Sequence, residues 1–375
     1  MKSSFYNYFN TFTLVEYFIR HLEEFSHKIC DWYRDNKRDL PWRNTSDPYK
    51  IWLSEIILQQ TRVDQGMSYY LKFIDEFPTV QQLAKAKEEK VLKLWQGLGY
   101  YSRARNLHAT ARIITDDYNS KFPLKHKEIL NLKGIGDYTA AAISSFAFNQ
   151  PYAVVDGNVY RVLSRVFNIA TPIDSTEGKK SFYTLANELL NKNNPGEHNQ
   201  AIMELGALVC KPLNPNCELC PLQPNCLALE KQTIEKLPVK SKAIKVRNRY
   251  FNYLIIKHNN NILINKRSNK DIWTNLYDFP NIETNKELTE NKLITSIEWQ
   301  NLFTNKQYSI ISCSETFKHI LSHQRIFAKF WEIECNPNHL KQLPKSTTII
   351  EQDSITKYPV PRLVDIYLKK ANYLP

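Results

Sequence analysis

The stretch that decides the fold is Leu132-Lys133-Gly134-Ile135-Gly136-Asp137-Tyr138-Thr139-Ala140-Ala141-Ala142. Two glycines stand between one apolar-periodic segment, Lys125–Leu132, and a run of small residues that opens another, Tyr138–Phe148. Glycine clears side chains from the bend, so that backbone N–H groups and the next helix N-terminus can approach a phosphate. A lone Gly-x-Gly is an ordinary turn. Between two helices it reads as a helix–hairpin–helix tip formed by Gly134, Ile135 and Gly136. Apolar residues at helical spacing recur on both sides, over 51–63, 80–95, 103–118, 159–167 and 178–190, and predict a mainly α unit. Pro48, after Asp47, sits where a first helical turn accepts proline.

Past Leu237-Pro238 the texture changes. Short β-rich runs at 249–258 and 261–266, separated by a turn at Asn259-Asn260, predict a hairpin, and strand-like runs follow at 308–313, 316–321 and 325–334. The expected organisation is an unassigned extension over 1–15, a helical domain over 16–230, a linker over 231–249, and an α+β domain over 250–375.

Of 375 residues, 50 are Lys or Arg and 38 Asp or Glu, a net charge of +12. The linker stretch alone sets seven basic side chains against Glu235. Such a strip suits a polyanion, or simply keeps a linker soluble. At 42% hydrophobic residues the chain is not disordered, and no apolar run approaches the ~18 residues of a membrane span. The aromatic N-terminus, interrupted by Asn7, Asn10 and Glu16, lacks the small-residue cleavage site of a secretory signal. A monomeric cytoplasmic protein associated with the nucleoid, with no membrane partner, is expected.

Four of the seven cysteines fall at Cys210-x6-Cys217-x2-Cys220-x5-Cys226. Thiolates so spaced can hold a tetrahedral zinc or a 4Fe–4S cluster. Only one pair forms a close Cys-x-x-Cys, whereas zinc ribbons use two, so the spacing favours 4Fe–4S. Two carboxyls complete the chemistry. Asp156, in Val154-Val155-Asp156-Gly157-Asn158, precedes a helix; it reads as an N-cap, or as an anion facing a developing cation. Glu55 lies among Trp52, Leu53, Ile56 and Ile57, with Gln59 and Arg62 expected on its helical face. A carboxyl buried among apolar groups gains pKa and can donate a proton. One proton donor and one anion are what cleavage of a glycosidic bond requires.

The hairpin, Val-Asp-Gly-Asn and the four-cysteine loop together resemble the endonuclease III superfamily of DNA glycosylases. Leu40-Pro41-Trp42-Arg43, Trp52–Thr61, Gly97–Leu107 and Asn199-Gln200-Ala201 resemble its A/G-specific adenine glycosylase (MutY) branch. The resemblance implies a 4Fe–4S cofactor and removal of adenine from double-stranded DNA containing 8-oxoguanine:adenine or guanine:adenine mispairs. It implies Glu55 as general acid toward adenine N7, Asp156 as the carboxylate at the oxocarbenium sugar, and Asn158 and Tyr138 as groups positioning these and the water. Arg38, Trp42, Arg43 and Gln200 would line the adenine pocket. Gln60, Leu98 and Tyr100 would lie at the oxidised guanine, with Tyr100 intercalating, and Thr61 would be a further substrate-binding residue. Tyr138 stands where strand-cutting relatives carry a Schiff-base lysine, which implies a monofunctional enzyme.

After residue 250 the chain resembles a Nudix-like domain through Trp273-x-x-Leu276-x-x-Phe279-Pro280, without the acidic helix of pyrophosphate hydrolysis. His319-Ile320-Leu321-Ser322-His323 resembles a Phe-Ser-His lesion-reading loop with Leu321 in place of Phe, which implies Ser322 and His323 as contacts to 8-oxoguanine. Two other readings are a bifunctional glycosylase/lyase of the endonuclease III type and a catalytically silent damage-binding protein. Tyr138 argues against the first, and the intact Glu55 and Asp156 against the second.

Overall fold

In a computed structural model the described residues are 24–241, 246–268, 271–303, 307–340, 343 and 345–373. The unassigned extension over 1–15 lies outside them. The chain divides into two compact units, residues 1–84 with 109–242, and residues 85–108 with 243–375.

The helices are α1 (24–36), α2 (Pro48–Leu58), α3 (Val63–Glu76), α4 (Val80–Lys85), α5 (Glu88–Leu94), α6 (Ser102–Asp117), α7 (His126–Leu130), α8 (Asp137–Phe148), α9 (Gly157–Val166), α10 (Thr176–Leu189), α11 (Pro195–Leu208) and α12 (Leu227–Glu230). Asp47 caps α2 through its bond from Tyr49 N, and Pro48 fills its first turn. Almost every residue from Tyr49 to Ile57 is buried, so α2 is a central helix with no solvated face. It ends at Leu58, where Gln59 leaves helical geometry and Gln60 takes φ +55°. The helix expected over 51–63 is therefore shorter, and Gln59 and Arg62 do not continue Glu55's face; Arg62 instead caps α3. The apolar segment expected as one helix over 80–95 is broken into α4 and α5.

Between α7 and α8 the hairpin turns through Gly134 at φ +79°, and Thr110 Oγ1 donates to Lys133 O at 2.7 Å. Ile135 is buried beneath the tip. The small residues of α8, Ala140 to Ala142, allow it to pack against α2. A second layer packs α1, α9, α10 and α11 around Ile29, Leu163, Phe182 and Leu205.

The basic stretch expected as a linker is tied down where it is described. Arg165 Nε donates to Ile234 O and Leu237 O, and Ser241 N donates to Asp174 Oδ1 at 2.9 Å. Residues 247–249 already belong to β1.

The second unit carries one mixed sheet of β1 (Arg247–His258), β2 (Asn261–Lys266), β3 (Tyr277–Asp278), β4 (Asn281–Thr284), β5 (Ser309–Cys313), β6 (Phe317–Ile320), β7 (Gln324–Glu334) and β8 (Thr347–Glu351). β1 and β7 run parallel from Arg247↔Gln324 to Lys257↔Glu334, and β1 is buried on both faces as central parallel strands are. Leu254, Ile256 and Trp331 meet α13 (Glu290–Ile294) and α14 (Ile297–Leu302) through Leu293 and Trp299. On the other face Tyr253 stacks on Phe330, and Phe330 on Tyr367 of α15 (Arg362–Lys370). The β6–β7 hairpin turns at 321–323, closed by Leu321 N to Gln324 O at 2.8 Å. Among the described residues no helix is long and apolar enough to cross a membrane.

Candidate active site

Burial of α2 carries Glu55 with it, leaving the residue 7% exposed. Tyr138, in the first turn of α8, donates its hydroxyl to Glu55 Oε2 at 2.6 Å. Burial pushes the Glu55 carboxyl up to about 7; the Tyr138 bond opposes this, the Asp156 charge adds to it, and Arg43 opposes it. Tyr138 is itself held protonated, by burial and by the two carboxyls beside it.

Asp156 is the N-cap of α9, one of the two readings its sequence context offered. Its Oδ1 accepts from Asn158 N at 2.9 Å and Val159 N at 2.8 Å, and its Oδ2 from Asn158 Nδ2 at 2.8 Å. Its pKa is raised: burial outweighs these donors and the nearby Arg161, which favour the charged form. Asn158 is fixed in turn: its Oδ1 accepts from Arg161 Nη2 at 2.7 Å, and the same nitrogen donates to Gly206 O at 2.7 Å. Gly206 permits this approach, since a Cβ there would stand 2.6 Å from Asn158 Cβ. The extended segment before Asp156 is held by Asn199, which accepts from Val154 N and donates to Tyr152 O.

Glu55, Asp156, Tyr138 and Asn158 line one cavity of about 570 Å³, and Arg38, Trp42, Arg43, Thr61 and Gln200 line it too. The two arginines do not reach freely into it. Both grip Glu204: Arg38 through Nε at 2.8 Å and Nη2 at 2.6 Å, and Arg43 through Nη1 at 2.9 Å and Nη2 at 2.7 Å. Burial works against the Glu204 anion, but the paired guanidiniums prevail and bring its pKa down to about 2. Sequence reasoning missed Glu204 and Arg161. The available signal for Glu204 was an acid inside the apolar run Ala201–Leu208, four residues after Gln200.

Other expected residues lie elsewhere. Gln60 forms the left-handed turn after α2. Leu98, buried, and Tyr100, 46% exposed at φ +46°, belong to the strand-rich unit. Ser322 and His323 are exposed at the β6–β7 tip, Ser322 Oγ standing 3.1 Å from His323 Nδ1.

Cys210, Cys217, Cys220 and Cys226, all partly exposed, line a separate apolar pocket walled by Val162, Leu205, Leu222 and Leu229. Arg165 Nη1 lies 3.5 Å from Cys210 Sγ, and backbone N–H groups of Leu222, and of Ala228 and Leu229, address Cys220 and Cys226. Arg161 Nε donates to Cys210 O at 2.6 Å, tying the loop to the helix that Asp156 caps.

Residues 53–189 match the profile of the HhH-GPD superfamily base excision DNA repair proteins, and residues 252–370 that of the NUDIX domain. The adenine DNA glycosylase of Buchnera aphidicola (subsp. Schizaphis graminum) is 36% identical over 303 residues, 80% of this chain and 84% of that protein. The chain belongs to the adenine DNA glycosylase family. As a member it is a DNA N-glycosylase of base excision repair. A thermostable thymine-DNA glycosylase structure matches 56% of the chain and 98% of its own length, at 31% identity and a TM-score of 0.53. A trapped endonuclease III–DNA covalent intermediate shares the helical fold at 20% identity and a TM-score of 0.50, over 57% of this chain and 98% of that one.

In this adenine DNA glycosylase family member, Glu204→Gln removes the charge shared by two guanidiniums. It is expected to lower unfolding stability by about 3 kcal/mol, read from urea midpoints at pH 7. Because the folded pKa of Glu204 is depressed, the parent's advantage should hold above pH 4.5, the ordinary value, and vanish as pH falls through about 2. Equal midpoints at pH 7 would remove the clamp from the account.

Proposed function

We propose that the chain excises adenine paired with 8-oxoguanine, or with guanine, in double-stranded DNA by hydrolysing the N-glycosidic bond. The observation that carries this reading is two carboxyls of unequal character in one cavity, buried Glu55 near pKa 7 and half-buried Asp156 ringed by three N–H donors. An adenine leaves the stack to enter such a cavity. Glu55 donates its proton to adenine N7, turning the base into a leaving group. The Asp156 anion then faces the sugar cation, held in place by Asn158 and the α9 N-terminus. Tyr138 keeps Glu55 oriented; it offers no amine, so no Schiff base forms and the product is an abasic site. Arg38, Trp42, Arg43 and Gln200 bound the base pocket, and Glu204 fixes both arginines.

Gly134–Gly136 approaches a phosphate. Gln60, Leu98 and Tyr100 act at the base opposite and Thr61 on the substrate side of the cavity, while Ser322 and His323 read 8-oxoguanine from an exposed hairpin tip. The four cysteines fit a 4Fe–4S cluster, since they surround one apolar pocket with N–H groups aimed at sulfur. Such a cluster cross-links the Pro-rich loop and contributes folding energy to it.

Glu55→Gln and Asp156→Asn are each expected to slow single-turnover adenine excision by ~10³-fold or more while sparing duplex binding. Either variant working at the parent's rate on an 8-oxoguanine:adenine duplex would refute the assignment. Anaerobically purified protein is expected to hold about four irons per chain, lost in Cys217→Ser. Stoichiometric zinc without iron would overturn the cluster.

A further inference from the structure

Residues 85–108 belong by sequence to the run of helices, yet they fold as part of the strand-rich unit. Polar contacts hold them there. Glu89 Oε1 accepts from Lys266 Nζ at 2.8 Å and from the Tyr277 hydroxyl at 2.8 Å. Asn275 Nδ2 donates to Glu88 Oε1, and Arg105 Nη1 to Thr274 O at 2.8 Å. Thr274, Asn275 and Tyr277 lie on the loop that runs into β3, and Lys266 is the last residue of β2. The clip grips α5 on one side and the first turns of α6 on the other.

Between the two gripped helices lies the segment that carries Tyr100. Gly97, Gly99 and Tyr100 have φ values of +105°, +72° and +46°, and a tyrosine in the left-handed region is strained. Such a turn persists only where its surroundings over-determine it. From within, Trp95 Nε1 donates to Gly99 O at 3.0 Å, and Arg103 lies over both the Trp95 and Tyr100 rings. From without, Gln96 and Tyr101 at the two ends of the turn bond to Asp365 and Val360, and the clip holds α5 and α6 beyond them. Tyr100 is thereby left exposed on a backbone that cannot relax.

We infer that the strand-rich unit acts on the duplex a second time, indirectly, by holding the Tyr100 turn in its strained form, with Glu88, Glu89, Asn275 and Tyr277 as positioning residues. This rests on the reading that Tyr100 inserts beside the mispair. The 274–277 loop is thus a specificity determinant at a distance from the Ser322–His323 tip in sequence. Losing this unit removes two readers of the lesion.

The test uses the full chain and a charge-neutral variant, Asn275→Gly with Tyr277→Phe. Glycine suits the φ of +66° at residue 275, and Phe keeps the Tyr277 ring against Tyr358. Two lost hydrogen bonds to charged acceptors should weaken binding to an 8-oxoguanine:adenine duplex by about tenfold. Affinity for a fully paired duplex and its salt dependence should stay unchanged. A 2-aminopurine beside the mispair should lose the quenching that an inserted tyrosine causes. Combined with Tyr100→Ala, the clip variant should add nothing further, because both act through one side chain.

If Tyr100→Ala alone alters neither affinity nor quenching, the insertion reading falls and the inference with it. If Tyr100→Ala has its effect while the clip variant is silent, or the two effects add, the inference alone is overturned. Glu89→Gln breaks the same clip from α5, so a folding failure of the first variant leaves the question open to measurement.

Discussion

The structure depends on one costly placement, a carboxyl in the middle of a helix that is buried all round. Taking Glu55 out of water penalises its charged form, and that desolvation outweighs the Tyr138 hydrogen bond in setting its pKa. A second carboxyl nearby adds to the same shift only if it carries its charge. Asp156 is arranged to do so, with two backbone amides and an amide side chain addressed to its oxygens. The proposed acid and anion thus differ in their surroundings rather than in residue type.

Much of the remaining helical unit stabilises that distinction. Arg161 joins Asn158 to the carbonyls of Gly206 and Cys210, and one turn later Arg165 joins the cysteine loop to the segment 234–237. A single helix, capped by Asp156, thus carries the anion at its start and the braces of the cysteine loop along its length. Glu204 does comparable work on the opposite wall, where one buried carboxylate satisfies two arginines. The cavity mixes polar and apolar walls; Glu204 holds two of its arginines, and burial gives Glu55 a pKa near 7.

What the sequence made legible follows from how local each signal is. The hairpin, the α9 cap and the strands β1, β2, β5, β6 and β7 rest on glycine, an Asp before a helix, or alternation, and each is found within one or two residues of its expected place. The end of α2 was not legible, because periodicity over 51–63 continues past Leu58 while the backbone turns at Gln60. Glu204 was hidden because its partners are 161 and 166 residues away. The membership of 85–108 in the strand-rich unit depends on side chains from two distant stretches meeting, which no window of sequence contains. The roles of Ser322, His323 and Tyr100 came from resemblance, and geometry adds their exposure and the strain at Tyr100.

The central claim is that burial, with Asp156 charged beside it, gives Glu55 its proton near neutrality. Its most direct measurement is a carboxyl titration of Glu55 in the free protein, by difference infrared or carbon NMR against Glu55→Gln, repeated in Asp156→Asn. The account predicts a midpoint near 7 in the parent and a lower one in Asp156→Asn, where the neighbouring charge is gone. A parent midpoint at the ordinary value of 4.5, or one that Asp156→Asn leaves unmoved, would contradict it.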